Sequence, residues 1–185
     1  MKRIGVLAVQ GAFIEHRQAF ERAGCEVCEI RQRCDADQSF DAIVLPGGES
    51  TVQRKLLHEL DILDPLWHQI DDGVQVFATC AGLILMAREV DGTPNPLGRV
   101  DVSVRRNAYG RQLGSFTTRG RFADKSDIAM TFIRAPKIVR TLGNVEILST
   151  YDGYPTAVRQ KHIVALAFHP ELNLGETILP DLLDP

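Results

Sequence analysis

The sequence is notable first for what it lacks. No apolar run approaches the roughly 18 residues that a membrane-crossing helix needs, so no membrane partner is expected. Positive charge is not in excess. Lys and Arg number 21 against 24 Asp and Glu, a formal net charge of −3, which removes the bulk electrostatic case for nucleic acid. Cysteine is sparse: Cys25, Cys28, Cys34 and Cys80. Cys25 and Cys28 form a CxxC, but no second Cys or His pair follows at zinc-finger spacing, so no metal is expected. The pair also falls in a segment that reads as a strand, where an offset of three points side chains to opposite faces. A Gly-Lys-Ser/Thr phosphate loop and a GxGxxG dinucleotide turn are both missing, and no cofactor is expected. Repeats, low-complexity tracts and linkers are absent too, so one domain over residues 1–185 is the expectation.

The N-terminus pairs Lys2 and Arg3 with an apolar run at residues 4–9, which could pass for a signal peptide. The run is too short, and Gln10, Glu15 and His16 follow closely; it reads better as a first strand. With no targeting segment, the expected location is cytoplasmic.

What is present is ordinary globular usage: 44% hydrophobic and 24% charged residues. A chain of this size can bury about 70% of its extended surface, enough for a three-layer core. Residues 4–9, 26–30, 41–45 and 74–78 read as strands, the first and third nearly all apolar, as strands covered on both faces should be. Between them, residues 12–23, 50–57 and 65–72 read as helices, with Ser50 a candidate N-cap and Pro65 in a first turn. Residues 81–90 are apolar enough for a buried helix. This alternation predicts an α/β fold: a doubly wound, mostly parallel, flavodoxin-like sheet in three layers. From Gly98 onward strands dominate, at 100–104, 111–117, 130–134, 145–150, 155–160 and 163–168. Asp152-Gly153 supplies a hairpin turn, so antiparallel strands are expected there.

Three strand ends carry chemistry. In Ala78-Thr79-Cys80-Ala81-Gly82, a buried strand turns through small residues into a helix, the layout of a nucleophile elbow around Cys80. A helix N-terminus behind the thiol favours thiolate. The plain alternative is a buried structural cysteine. Downstream, a strand ends in His169-Pro170-Glu171, and in an extended chain positions i and i+2 project together, as an imidazole and its orienting carboxylate would. His16, His58, His68 and His162 lack such a context. The third element is Pro46-Gly47-Gly48-Glu49-Ser50-Thr51, whose backbone N–H groups could face an oxyanion with the amide after Cys80.

In this order these elements resemble the class I, triad-type glutamine amidotransferases. Further blocks narrow the resemblance: residues 5–12 with Glu15-His16, Arg106-Asn107-Ala108-Tyr109-Gly110-Arg111-Gln112, and Phe132-Ile133-Arg134-Ala135-Pro136. They look like the family of glutaminase subunits of pyridoxal 5′-phosphate synthases, over about residues 4–172. The resemblance implies hydrolysis of L-glutamine to glutamate and ammonia, with Cys80, His169 and Glu171 as catalytic triad. It implies a glutamine site at Gly47, Gly48, Glu49, Arg106, Ile133 and Arg134, and oxyanion donors at the Gly47 and Ala81 amides. Ammonia would pass to a separate pyridoxal 5′-phosphate synthase subunit in a large hetero-oligomer, which Gln10 could face. Arg106 could equally be a solvated strand charge, whereas Arg134, set among apolar residues, invites a carboxylate. Three features depart from the family pattern: Ala78 replaces the first glycine of the elbow, Val52 stands where threonine is usual after Ser50-Thr51, and the tail at 173–185 diverges, with Pro180 set to interrupt a terminal helix. Rival readings are a subunit feeding another synthase, a free-standing hydrolase of γ-glutamyl peptides, and a catalytically silent scaffold.

Overall fold

A computed structural model describes residues 1–108, 115–173 and 178–183. The continuous apolar runs become the centre of a seven-stranded sheet. Its members are β1 (Arg3–Leu7), β2 (Glu26–Ile30), β3 (Ala42–Leu45), β4 (Gln75–Thr79) and three late strands described below. Four helices intervene: α1 (Phe13–Arg22), α2 (Arg33–Ala36), α3 (Ser50–Glu59) and α4 (Leu63–Asp71). A fifth, α5 (Ala81–Met86), follows β4. Strands β5 (Ala87–Val90), β6 (Thr93–Pro94), β7 (Val100–Arg105), β8 (Ser115–Phe122), β9 (Lys125–Ile133) and β10 (Lys137–Thr141) come next. The chain then returns to the main sheet with β11 (Glu146–Tyr151), β12 (Tyr154–Gln160) and β13 (Ile163–Leu166).

The main sheet runs β11-β12-β13-β4-β3-β1-β2. Pairings from β13 through β4, β3 and β1 to β2 are parallel, and β11-β12-β13 are antiparallel. The order β2-β1-β3-β4 is that of a doubly wound, flavodoxin-like sheet. Every residue of β3 and β13 is buried, which is why both read as apolar runs rather than as an alternation. The antiparallel extension turns at Asp152 and Gly153, with φ of 51° and 77°, the two positive values that a type I′ turn requires. Two smaller sheets, β10-β7-β5-β6 and β8-β9, complete the second half. Among the described residues no helix is long and apolar enough to cross a membrane.

Several elements differ from expectation. The apolar stretch 81–90 is not one helix: it stops at Met86, and Ala87–Val90 becomes β5, paired with β7. The Asn95 side chain donates to the carbonyls of Ile84, Leu85 and Ala87 at 3.3, 3.0 and 2.8 Å, taking up acceptors that a longer helix would have used. Ser50 is the first helical residue rather than the cap; Glu49 caps α3 by accepting from the Thr51 amide at 3.2 Å. Helix α4 starts at Leu63, two residues before Pro65. The strand expected at 111–117 begins outside the described residues, and its described part belongs to a longer hairpin ending at Ile133. Sequence reading missed α2, β6 and β10. In the tail, Pro180–Leu183 forms a 3₁₀ turn with Leu182 and Leu183 buried, and Gln75 Nε2 donates to the Leu182 carbonyl at 2.5 Å. Cys25 precedes β2 and Cys28 lies in it, both half-buried and in no disulfide.

The junction of β4 and α5 is closely packed. A Cβ built on Gly82 would lie 2.1 Å from the Leu45 carbonyl oxygen, so α5 rests directly on the backbone of β3. Ala78, read in the sequence as a departure from the elbow pattern, lies inside β4 and is not among the residues with positive φ, so its methyl group is tolerated. Gly82→Ala is therefore expected to destabilise the fold by at least about 1–3 kcal/mol, the scale of overpacking against a rigid neighbour. A lowered urea midpoint at unchanged slope would show it; an unchanged midpoint would mean that α5 can lift off β3 freely.

Candidate active site

The carboxyl ends of β1, β3, β4 and β13 lie side by side, where ligands bind in open α/β sheets. Cys80 follows β4 directly. Its backbone has φ 50° and ψ −98°, a conformation that costs a non-glycine residue of order 1–3 kcal/mol and persists only where the surroundings impose it. Its amide donates to Leu166 of β13 at 2.8 Å, and its carbonyl accepts from Ile84 at 3.2 Å. The thiol is almost wholly buried, with Sγ directed at the Ile133 carbonyl at 3.8 Å. Ala81 opens α5, where first-turn N–H groups have no partner inside the helix.

His169 comes two residues beyond Ala167, whose amide donates to Thr156, and its own amide donates to Thr131 of β9 at 2.8 Å. Nδ1 meets Glu171 Oε1 at 2.6 Å. The expected pair thus exists, but not through an extended chain. Pro170–Leu172 is a 3₁₀ turn with proline at its start, and the turn brings the carboxylate back to the ring. Glu171 is fully buried. His169 Nε2 is buried without a hydrogen-bond partner, and the imidazole lines the same cleft as Cys80. Burial opposes the imidazolium, but Cys80 and Glu171 outweigh it and raise the His169 pKa from 6.5 to about 10. Burial likewise opposes the Glu171 charge, yet His16 and His169 hold its carboxyl below the ordinary range.

The glycine loop after β3 closes the third side. A Cβ on Gly47 would stand 2.3 Å from His169 Cε1, so only glycine lets the imidazole lie against this backbone. Gln10, expected to face a partner, turns its side chain inward: its Oε1 accepts from the Glu49 amide at 2.8 Å. Ala12 donates to the Gly47 carbonyl at 2.9 Å, tying the β1–α1 turn to the same loop. Glu49 is held below the usual carboxylate range by hydrogen bonds from Thr51, with Arg106 and Arg134 adding to the effect.

Cys80, His169, Gly47, Gly48, Glu49, Arg106, Ile133 and Arg134 all line one cleft of about 640 Å³, a size suited to a small metabolite. Arg106 is already engaged: Nε lies 2.6 Å from Asp91 Oδ2, and its amide donates to the same carboxylate. Arg134 is exposed and adopts φ 45°, another strained backbone. Tyr109 to Gln112 lie outside the described residues. Two site residues were given no role from the sequence. Gln53, fully buried on α3, donates from Nε2 to the Gln10 and Pro46 carbonyls at 3.0 and 3.1 Å. His16, assigned no role, is fully buried with Nε2 at 3.5 Å from Glu171 Oε2. The signal for His16 was its position on the apolar face of α1 with Ala19 and Phe20, where a polar ring needs a reason.

The sequence matches the SNO glutamine amidotransferase family over residues 6–182. The chain belongs to that family. Among its relatives, the pyridoxal 5′-phosphate synthase subunit PdxT of Desulfitobacterium hafniense (strain DSM 10664 / DCB-2) is 50% identical over 98% of this chain and 92% of its own length. The subunit of the same name from Methanocorpusculum labreanum is 50% identical over 92% of this chain and 90% of its own. A crystal structure described as a glutamine amidotransferase superposes with a TM-score of 0.90 at 37% identity, covering 98% of this chain and 97% of that one. PurLQS from Thermotoga maritima, 16% identical with a TM-score of 0.67, shares the fold over 98% of this chain and 96% of its own. Membership makes the chain a glutamine amidotransferase, an enzyme of the class expected from its motifs.

For this amidotransferase the sign of the electrostatics is testable. A pKa raised on folding means that His169 stabilises the fold in full below 6.5 and loses that contribution as the pH rises toward about 10. Glu171→Gln removes the charge at nearly constant shape. The imidazole of His169, followed by NMR through a pH titration, should then titrate well below its wild-type midpoint. An unchanged midpoint would mean that Glu171 does not set the proton affinity of the ring.

Proposed function

We propose that this chain is the glutaminase subunit of a pyridoxal 5′-phosphate synthase, hydrolysing L-glutamine and delivering ammonia to the synthase subunit. The observation that carries the chemistry is Cys80 on its strained elbow, in one cleft with an imidazole bonded at 2.6 Å to a buried carboxylate. The near-full-length identity to subunits of that name supports the choice of synthase.

In this reading Cys80 gives its thiol proton to His169 and its Sγ attacks the side-chain amide carbon of glutamine. The carbonyl oxygen becomes an oxyanion, met by the amides of Gly47 and Ala81. His169 protonates the leaving nitrogen; the C–N bond breaks, ammonia departs, and a γ-glutamyl thioester remains on Cys80. His169 then takes a proton from water, whose oxygen attacks the thioester, and the C–S bond breaks to release glutamate and the thiol. Glu171 holds His169 through Nδ1 and offsets the imidazolium charge in both steps. Glu49, Arg106, Ile133 and Arg134 bind the glutamine, with an arginine suited to its α-carboxylate and Glu49 to its ammonium group. Arg106 would do so while still paired with Asp91. Gln10 acts from beneath the glycine loop, beside the face that meets the synthase. A cytoplasmic setting fits four cysteines that form no disulfide.

Ammonia release from glutamine, measured for wild type and Cys80→Ala with and without a pyridoxal 5′-phosphate synthase subunit, tests the proposal. Wild type should be active with the synthase, and Cys80→Ala should lose that activity by orders of magnitude, roughly as removal of a triad nucleophile does elsewhere. Equal wild-type activity with and without the synthase would point to a free-standing hydrolase. No activity with the synthase demonstrably bound would overturn the enzymatic reading.

A further inference from the structure

The Glu171 carboxylate has two oxygens, and orienting His169 uses one. Oε1 takes the His169 Nδ1 proton at 2.6 Å, while Oε2 is fully buried and has no hydrogen bond of its own. A buried carboxylate oxygen left facing apolar surroundings is costly and would leave the side chain free to rotate about its terminal torsion. What Oε2 faces is His16 Nε2, 3.5 Å away, both side chains being wholly inaccessible to solvent. The His16 ring is itself fixed at both nitrogens. Nδ1 donates to the Ala12 carbonyl at 2.9 Å, and Nε2 lies 3.2 Å from Thr79 Oγ1, on the residue preceding the nucleophile. His16 also contributes to holding the Glu171 carboxyl in its charged form.

We propose that His16 is a positioning residue that acts through Glu171, locking the plane of its carboxylate so that Oε1 is presented to His169. The chain of contacts then runs from Thr79 through His16 and Glu171 to His169 and back toward Cys80. It anchors the base to α1 and to the end of β4 rather than to its own short 3₁₀ turn alone. This rests on the reading of His169 and Glu171 as base and orienter.

Two substitutions separate positioning from simple packing. Asparagine places its amide nitrogen near where Nδ1 lies, keeping the tie to Ala12 and vacating the Nε2 position. Glutamine reaches the Nε2 position and gives up Ala12. With the chain assembled on the synthase subunit, His16→Asn should lower kcat for glutamine about tenfold, a fraction of what general acid–base catalysis supplies, with KM unchanged. His16→Gln should stay within about threefold of wild type. In a Glu171→Gln background, His16→Asn should cost nothing further, because its effect passes through that carboxylate. A second readout needs no substrate: the downfield NMR resonance of the His169 Nδ1 proton in the isolated chain should move in His16→Asn and hold its place in His16→Gln. Wild-type kcat and an unmoved resonance in His16→Asn would overturn the proposal, as would the reverse ranking, with Gln impaired and Asn intact. If His16→Asn does not fold, Thr79→Val removes the hydroxyl beside Nε2 at constant shape and should move the same resonance; no movement overturns it. If the wild-type complex releases no ammonia from glutamine, the functional reading fails, and the resonance alone decides the role of His16.

Discussion

The contact between α5 and the end of β3 governs the site. Gly82 lies against the Leu45 carbonyl with no room for a side chain, and Ala78, Ala81, Leu83 and Met86 around it are all inaccessible to solvent. This clamps both ends of the elbow. Cys80 is then held at positive φ by burial of its neighbours and by the bond of its amide to Leu166. The strain, of order 1–3 kcal/mol, is small beside the apolar surface that β4 and α5 bury. The nucleophile is thus presented at a fixed angle by the core itself, without dependence on a flexible loop.

The turn between β1 and α1 plays a matching role for the other components. Gln10 accepts from Glu49 and from Gln53, Ala12 donates to Gly47, and the Ala12 carbonyl receives His16. One short segment therefore supports both the glycine loop and the carboxylate behind the histidine. These are backbone and buried side-chain bonds, each modest alone and costly to leave unmade in a dry interior. Electrostatics follow from the same geometry. An imidazole between a thiol and a buried carboxylate gains proton affinity despite its burial, and the carboxylate between two histidines keeps its charge.

Much of this was legible in the sequence because it is written in local terms. Fully buried parallel strands must be apolar on both faces, a left-handed hairpin turn selects Asp-Gly, and a strand–Cys–helix junction needs small residues. Misreadings arose where a distant partner overrode a local preference. The apolar stretch after Cys80 has no internal stop; Asn95, eight residues beyond Ala87, provides it from outside. Ser50 has the right chemistry for a cap, but Glu49 occupies that position because the glycine loop delivers it there. His169 and Glu171 meet as expected, through a turn rather than an extended segment.

The sequence by itself determined the fold class, the strands that reach the site and the three residues proposed as the triad. Each depends on residue type and spacing within one element or one junction. Only the tertiary structure decided what stands behind those residues. His16 on α1, Gln53 on α3 and Gln10 after β1 are polar side chains whose local sequence does not name their partners. Their meaning lies in partners 155, 43 and 39 positions away along the chain, at Glu171, Gln10 and Glu49. Such contacts form when the sheet places its strand ends together, and no period or short motif encodes them.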